Sequence, residues 1–132
     1  MCRVKLYLVS LLLLSLVVSC QKADDNGALG GFWKLLEVES VATGEKSDRR
    51  SNGCFMSIQL DLMQLRGPVS QYARFQHSGD SLFVQIIGDN ADEELLKSFG
   101  FSGSEERFFV QKLTGKSLVL KSVYSILTFK KF

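Results

Sequence analysis

Apolar residues recur at every second position through most of the chain after residue 31, and short polar segments interrupt the alternation. A two-residue period is typical of β-strands that bury one face. In the clearest segment one face carries Met56, Ile58, Leu60 and Leu62. The same pattern predicts six more strands, which are 32–39, 71–77, 81–87, 107–113, 116–122 and 125–132. Seven strands are therefore predicted, or eight if the long segment bends or the loop after Ser40 contributes one.

Two local departures from this pattern predict further features. In the first strand the adjacent Leu35 and Leu36 break the alternation, which predicts a β-bulge. Between the fourth and fifth predicted strands, residues 89–99 lose the two-residue period and predict one short helix, with Asn90 as its N-cap. Gly100 ends it. Many short strands with one helix indicate a small all-β sandwich or barrel.

The first twenty residues have the pattern of a lipoprotein signal. Arg3 and Lys5 precede an apolar run that is too short to span a membrane, and Ser19 stands immediately before Cys20. Val17-Val18-Ser19-Cys20 resembles the bacterial lipobox, in which the cysteine is acylated and the bond before it is cut. The alternative is an ordinary secretory signal that happens to contain a cysteine. We predict a signal peptide at 1–19, a lipidated Cys20 with a flexible tether at 20–31, and one domain at 32–132.

The sequence of the tether indicates where in the cell envelope the protein is located. Cys20-Gln21-Lys22-Ala23-Asp24-Asp25 is similar to the export signal of Bacteroidetes-type surface lipoproteins. This similarity favours the outer face of the outer membrane, with the acyl chains on Cys20 as the contact with the bilayer. The alternative is a plain solvated spacer.

Charge and cysteine content narrow the possible partners. The 16 basic and 14 acidic residues become 14 and 14 once Arg3 and Lys5 leave with the signal, so nothing favours nucleic acid. Cys54 would then have no partner for an internal disulfide. It is a buried apolar side chain, a site for a second molecule, or a nucleophile. We expect a monomer.

The sequence contains few residues that could act in catalysis or bind a metal. His77 is the single histidine, and a dyad with Cys54 is the only nucleophile–base pair that the sequence offers. We do not expect Cys54 and His77 to form a catalytic dyad. One histidine and one cysteine do not make a metal site, and the acidic run 89–94 lacks the glycine and spacing of a calcium loop. We expect no enzyme activity, no metal and no cofactor.

Three segments carry a resemblance to a known family. Gly31-Phe32-Trp33-Lys34-Leu35, together with 108–120 and 127–131, resembles the lipocalin-like lipoproteins of Bacteroidetes. The resemblance implies an up-and-down (meander) barrel of seven to eight strands, in which Trp33 plugs one end and Lys130 or Lys131 lies over its ring. The alternative for Trp33 is an ordinary core aromatic.

From such a barrel we expect, as the first function, binding of a small hydrophobic ligand in the interior. The alternative is binding of a protein or glycan partner through the loops, with a filled interior, and a cavity would distinguish the two functions. For the first function the candidate interior residues are Trp33, Leu35, Ile58, Leu60, Val84, Phe108, Val110, Leu120 and Phe129.

Overall fold

The computed structural model describes residues 26–88 and 90–132. The predicted signal peptide at 1–19, Cys20 and the tether as far as residue 25 lie outside the described residues. Within the part of the chain that is described, no helix has both the length and the hydropathy to cross a membrane.

Nine strands and two short helical segments make up the described chain. A 3-10 turn at Gly27–Leu29 comes first, and helix α1 (Glu93–Ser98) stands between the sixth and seventh strands. The strands are β1 (Gly31–Ser40), β2 (Lys46–Asp48), β3 (Phe55–Gln59), β4 (Leu62–Arg66), β5 (Ser70–Ser78), β6 (Ser81–Ile86), β7 (Glu105–Leu113), β8 (Ser117–Lys121) and β9 (Ser125–Lys131).

Eight of these strands close into an antiparallel barrel. Consecutive strands from β3 to β9 pair with one another, and β1 completes the ring by pairing with β3 and with β9. The β1–β9 seam runs from Trp33 opposite Lys131 to Ser40 opposite Ser125. Its register shifts between Leu35 and Glu37, which confirms the predicted bulge. The all-β meander barrel is confirmed.

Strand β2 lies outside this ring. It pairs with the second half of β1, where Glu37 to Glu39 face Asp48 to Lys46. The loop after Ser40 therefore contributes a strand, and the long segment at 56–62 also bends. Both routes to an additional strand occur, which gives eight strands in the barrel and one beside it.

The predicted single face at 56–62 is wrong, because the chain reverses within it. Gln59 pairs with Leu62 across a two-residue turn, and Leu60 has a positive φ of 56°. Ile58 then faces Met63 across the hairpin, so the inward positions of β4 are Met63 and Leu65. Leu60 is 66% exposed and Leu62 is 41% exposed, so neither lies in the interior.

The helix begins later than predicted. Asp92 is the N-cap, and its Oδ1 accepts a hydrogen bond of 2.9 Å from the backbone N–H of Leu95. The Asn90 cap is therefore wrong, because the Asp92 carboxylate supplies the capping acceptor nearer to the packed residues. Gly100 follows the helix with a φ of 77°, as expected for a residue that ends one.

Candidate functional site: the barrel interior and its two ends

The barrel interior contains eight of the nine candidate residues. Each is at most 8% exposed, and they are Trp33, Leu35, Ile58, Val84, Phe108, Val110, Leu120 and Phe129. Leu60 is the exception, for the reason given above. That these side chains contact a ligand stays a prediction.

Several interior residues were not among the candidates. Leu82 and Leu118 lie on the same faces as Val84 and Leu120, so alternation within each strand could have found them. Met63 and Leu65 required knowledge of the hairpin at Leu60. The interior residues outside the candidate set are Met56, Met63, Leu65, Ala73, Phe75, Leu82, Leu118 and Leu127.

The interior is filled by these side chains along much of its length. Eight of them have no accessible surface, and a void large enough for water beside any of them would leave part of its surface accessible. They are Trp33, Leu35, Met63, Leu65, Ala73, Val84, Leu118 and Leu127. This agrees with the width of an eight-strand barrel, which side chains can just fill.

One end of the barrel, which we call the Trp33 end, is formed by the 3-10 turn and the turns at 60–61, 79–80 and 114–116. The Trp33 Nε1 donates a hydrogen bond of 2.9 Å to the carbonyl of Leu29. The Lys131 Nζ lies 4.7 Å from the ring centroid and donates to the carbonyls of Ala28 (3.2 Å) and Gly30 (2.5 Å). Of the two lysines predicted for this position, Lys131 therefore holds it. Lys130 is exposed.

Gly31, two residues before Trp33, lies against the Lys131 side chain. A Cβ on Gly31 would lie 2.7 Å from the Lys131 Cε, which is closer than real side chains approach. The lysine side chain would have to shift to make room for that Cβ, and the φ of 124° at Gly31 also favours glycine. The Gly31, Trp33 and Lys131 positions act as one unit that closes this end.

The opposite end, which we call the helix end, is formed by the loops 41–54, 67–69, 87–104 and 122–124. Helix α1 covers it with Leu95 and Leu96, and Phe99 and Phe101 follow; all four are buried. A Cβ on Gly67 would lie 2.9 Å from the Leu95 Cδ1, so α1 lies directly on the β4–β5 turn.

Gly100 makes the closest contact at the helix end. A Cβ there would lie 2.5 Å from the Leu127 Cδ2 and 2.8 Å from the Val38 Cγ1. The Ser125 hydroxyl donates a short hydrogen bond to the Gly100 carbonyl. The chain after α1 is thereby fixed against both strands of the β1–β9 seam.

Polar side chains from two strands hold the connection that carries α1. The Gln71 amide on β5 donates to the Ile87 carbonyl and accepts from the Asp92 N–H, both at 3.2 Å. On β7, the Glu106 Oε2 accepts from the Ser102 N–H at 3.0 Å and from its hydroxyl. Glu106 is 4% exposed, and these two donors provide hydrogen bonds to its buried Oε2. Both sides of the connection are therefore tied to the barrel wall.

Cys54 and His77 occupy opposite ends. Cys54 is buried at the helix end, 4.0 Å from the Cβ position of Gly67, whereas His77 borders a hollow at the Trp33 end. Burial raises the pKa of the Cys54 thiol, and the positive charge of Arg49 opposes this shift. The two side chains therefore do not form a dyad, and Cys54 is in an environment that disfavours its thiolate.

Open hollows occur at both ends of the barrel. One of about 530 Å³ lies beside α1 and is bordered by Ala91, Leu96, Lys97 and Phe101, among others. At the Trp33 end, hollows of about 580, 370 and 370 Å³ all border Leu60. One of them also reaches Phe75, which is an interior residue.

The closed eight-strand meander barrel, with the buried Trp33 in its first strand, is typical of the calycin class of β-barrels. The chain matches the family model of the lipocalin-like domain over residues 12–132, and it belongs to that family.

Solved structures of two Bacteroides proteins are similar to this chain. A lipocalin-like protein from Bacteroides uniformis ATCC 8492 has a TM-score of 0.69 and 19% identity, with 80% of this chain and 100% of that one covered. An uncharacterized protein from Bacteroides eggerthii DSM 20697 has a TM-score of 0.63 and 19% identity, with 78% and 98% covered. At such identities the likeness shows the fold alone. A search of curated proteins finds no match.

Proposed function

We propose that this lipocalin-like protein is a non-enzymatic lipoprotein of the outer membrane, which binds a protein or glycan partner through the loops of the helix end. The observation that carries this proposal is that eight interior side chains leave no space beside them for even a water molecule, so much of the interior is filled. The separation of Cys54 from His77 supports the absence of catalysis.

The loop between β8 and β9 is the best candidate for the contact with a partner. Val123 is 94% exposed, and its neighbour Tyr124 is half exposed and accepts a backbone hydrogen bond of 3.1 Å from Val41. Exposed apolar and aromatic side chains on a rigid loop are typical of interface contacts. A photo-crosslinking residue at position 123 should give one discrete product in intact cells, whereas the same residue at Lys112 should give none. Equal crosslinking at both positions would contradict the proposal.

A small hydrophobic ligand is the second candidate. Phe75 and Val110 are the most accessible interior residues, and Phe75 borders an open hollow. Purification of the lipidated protein from its native membrane, followed by mass spectrometry of the extracted small molecules, separates the two functions. We expect no apolar molecule at stoichiometric amount, and its presence would favour the second candidate.

The lipid anchor on Cys20 is the part of the proposal that rests on the sequence. Two or three acyl chains on one residue hold a protein stably, since each buried methylene contributes about 0.8 kcal/mol. In a Triton X-114 partition, Cys20→Ser should move the protein into the aqueous phase, while Cys54→Ser should leave it in the detergent phase. Unchanged partitioning of the Cys20 variant would refute the anchor.

Display on the cell surface is a separate proposal, supported by the similarity of residues 20–25 to a surface export signal. Protease added to intact cells should remove the protein. Replacement of Lys22, Asp24 and Asp25 by alanine should reduce this loss without changing lipidation. Full protection in intact cells, with digestion after lysis, would place the protein on an inner leaflet.

A further inference from the structure

The described chain begins at the Trp33 end, beside the turn that exposes Leu60. The Asn26 Nδ2 donates a hydrogen bond of 2.8 Å to the Leu60 carbonyl, so the point where the tether leaves the domain lies against this turn. Cys20 precedes Asn26 by six residues. Six residues extend at most about 20 Å and average about 13 Å when flexible.

The Leu60 turn has an unusual composition for its geometry. Two-residue hairpin turns that need a positive φ normally contain glycine, asparagine or aspartate. Here a leucine with φ 56° presents a side chain that is 66% exposed. A non-glycine residue in this conformation has a conformational cost, and such residues are concentrated at functional positions. The apolar side chain at the tip of the barrel is therefore available to an apolar partner, and contact with one would offset part of that cost.

From the short tether and the exposed leucine we propose that the Trp33 end lies on the bilayer, with the Leu60 side chain inserted into the interface and the helix end directed away from it. This inference rests on the proposed lipid anchor at Cys20. Asp61 and Asp80 share this end with Lys116, Lys130 and Lys131, and the Lys131 ammonium already contacts the Trp33 ring and two backbone carbonyls. The proposal therefore rests on the tether and the apolar side chain rather than on charge.

The two ends of the barrel are far enough apart along its axis for their distances from the bilayer to be distinguished. Strand β1 has ten residues, and at 3.3 Å per residue and a tilt near 40° it rises about 25 Å. Val123 is at the helix end and is 94% exposed, so it provides a matched aliphatic control for Leu60. In this orientation the loop that we propose for partner binding faces the solution.

The test uses the lipidated mature protein in vesicles of phosphatidylethanolamine and phosphatidylglycerol. In a Cys54→Ala background, a nitroxide label is attached to Leu60→Cys, Lys116→Cys or Val123→Cys, and collisions with oxygen and with a water-soluble nickel chelate are measured. We expect the label at 60 to show a several-fold loss of collisions with nickel and a gain with oxygen. The label at 116 should show a smaller loss, and that at 123 should show none.

The outcomes separate this orientation from the anchor itself. Protein that does not float with the vesicles would overturn both the anchor and the orientation. If the protein floats and all three labels remain in water, the orientation is overturned while the anchor stands. Protection at 123 rather than at 60 would reverse the orientation. The label at 116 keeps the test valid if Leu60→Cys does not fold.

Discussion

The two ends of the barrel are closed in different ways. The Trp33 end is closed by one large aromatic ring, which makes a hydrogen bond to Leu29 and carries the Lys131 ammonium on its face. The helix end is closed by a long connection, whose apolar residues pack over the barrel and whose backbone passes close to the seam at Gly100. The first closure depends on a few side chains with specific chemistry, and the second depends on many close apolar contacts.

This difference has a thermodynamic consequence. Emptying the single aromatic position should affect the whole barrel, because β1 and β9 both contact it. Changes in the helix end should open that end locally as well as lower the global stability, because the connection is a separate segment placed on the barrel. The following four experiments examine this comparison, from the largest expected effect to the smallest.

Trp33→Ala should have the largest effect. Removal of a fully buried tryptophan costs about 3–5 kcal/mol, and the hydrogen bond to Leu29 and the contact with Lys131 are lost as well. Denaturant unfolding followed by circular dichroism measures the change. Phe109→Ala is the control, since this aromatic is half exposed on the outer face of β7. Similar stabilities for the two variants would contradict the plug.

Leu95→Ala should open the helix end selectively. Truncation of a buried leucine costs about 2–5 kcal/mol, and Leu95 lies beside the turn that covers Cys54. The rate at which a thiol reagent modifies Cys54 should rise strongly, while the fluorescence of Trp33, the single tryptophan, should stay blue-shifted. A parallel red shift at Trp33 would mean that both ends open together, and would contradict the comparison.

Gly100→Ala should destabilise the helix end through both conformation and packing. A left-handed conformation costs an L-residue about 1–2 kcal/mol, and the new Cβ would overlap Leu127 and Val38, so a total of about 2–4 kcal/mol is expected. Thermal unfolding measures it. Gly88→Ala is a matched control, because Gly88 also has a positive φ (99°) but nothing lies within 4 Å of its Cβ position. Equal melting temperatures for the two variants would show that α1 does not pack as described.

Lys131→Met should have the smallest effect of the four. It removes the cation from the Trp33 ring and two hydrogen bonds to the 3-10 turn, at a cost of about 1–2 kcal/mol. Lys130→Met should change the free energy of unfolding very little, because Lys130 is exposed on the other face of β9. If the two variants had reversed effects, Lys130 rather than Lys131 would contact the ring.

Much of the barrel could be predicted from alternation alone. Which residues and strands lie next to one another in the sheet could not be predicted in this way. The alternating positions identified about half of the inward residues and the bulge after Leu35, since both depend on local order along the chain. Alternation could not choose between Lys130 and Lys131, because that choice depends on the register of β9 against β1. Strand β2 has the sequence Lys-Ser-Asp, and its place in the sheet depends on backbone pairing to β1 rather than on apolar residues.

The sites that sequence reasoning missed share a physical cause. Leu60 occupies a conformation that its residue type disfavours, so turn propensities could not locate the hairpin there. Gly100 was predicted to end the helix, which it does, but its close contact with Leu127, like that of Gly67 with Leu95, follows from the tertiary packing of α1. The filled interior likewise depends on the packed arrangement of side chains and not on their hydrophobicity.

The position of β1 determines how the domain would respond to mechanical force. It is the first strand after the tether, and it pairs with β9 along one edge and with β3 and then β2 along the other. Interstrand hydrogen bonds in antiparallel pairs lie perpendicular to the strands, so a pull from an anchored Cys20 along β1 would load them in shear. Many bonds would have to break together rather than one after another. A domain held at Cys20 would therefore resist drag on its distal end through the strand that is paired most extensively.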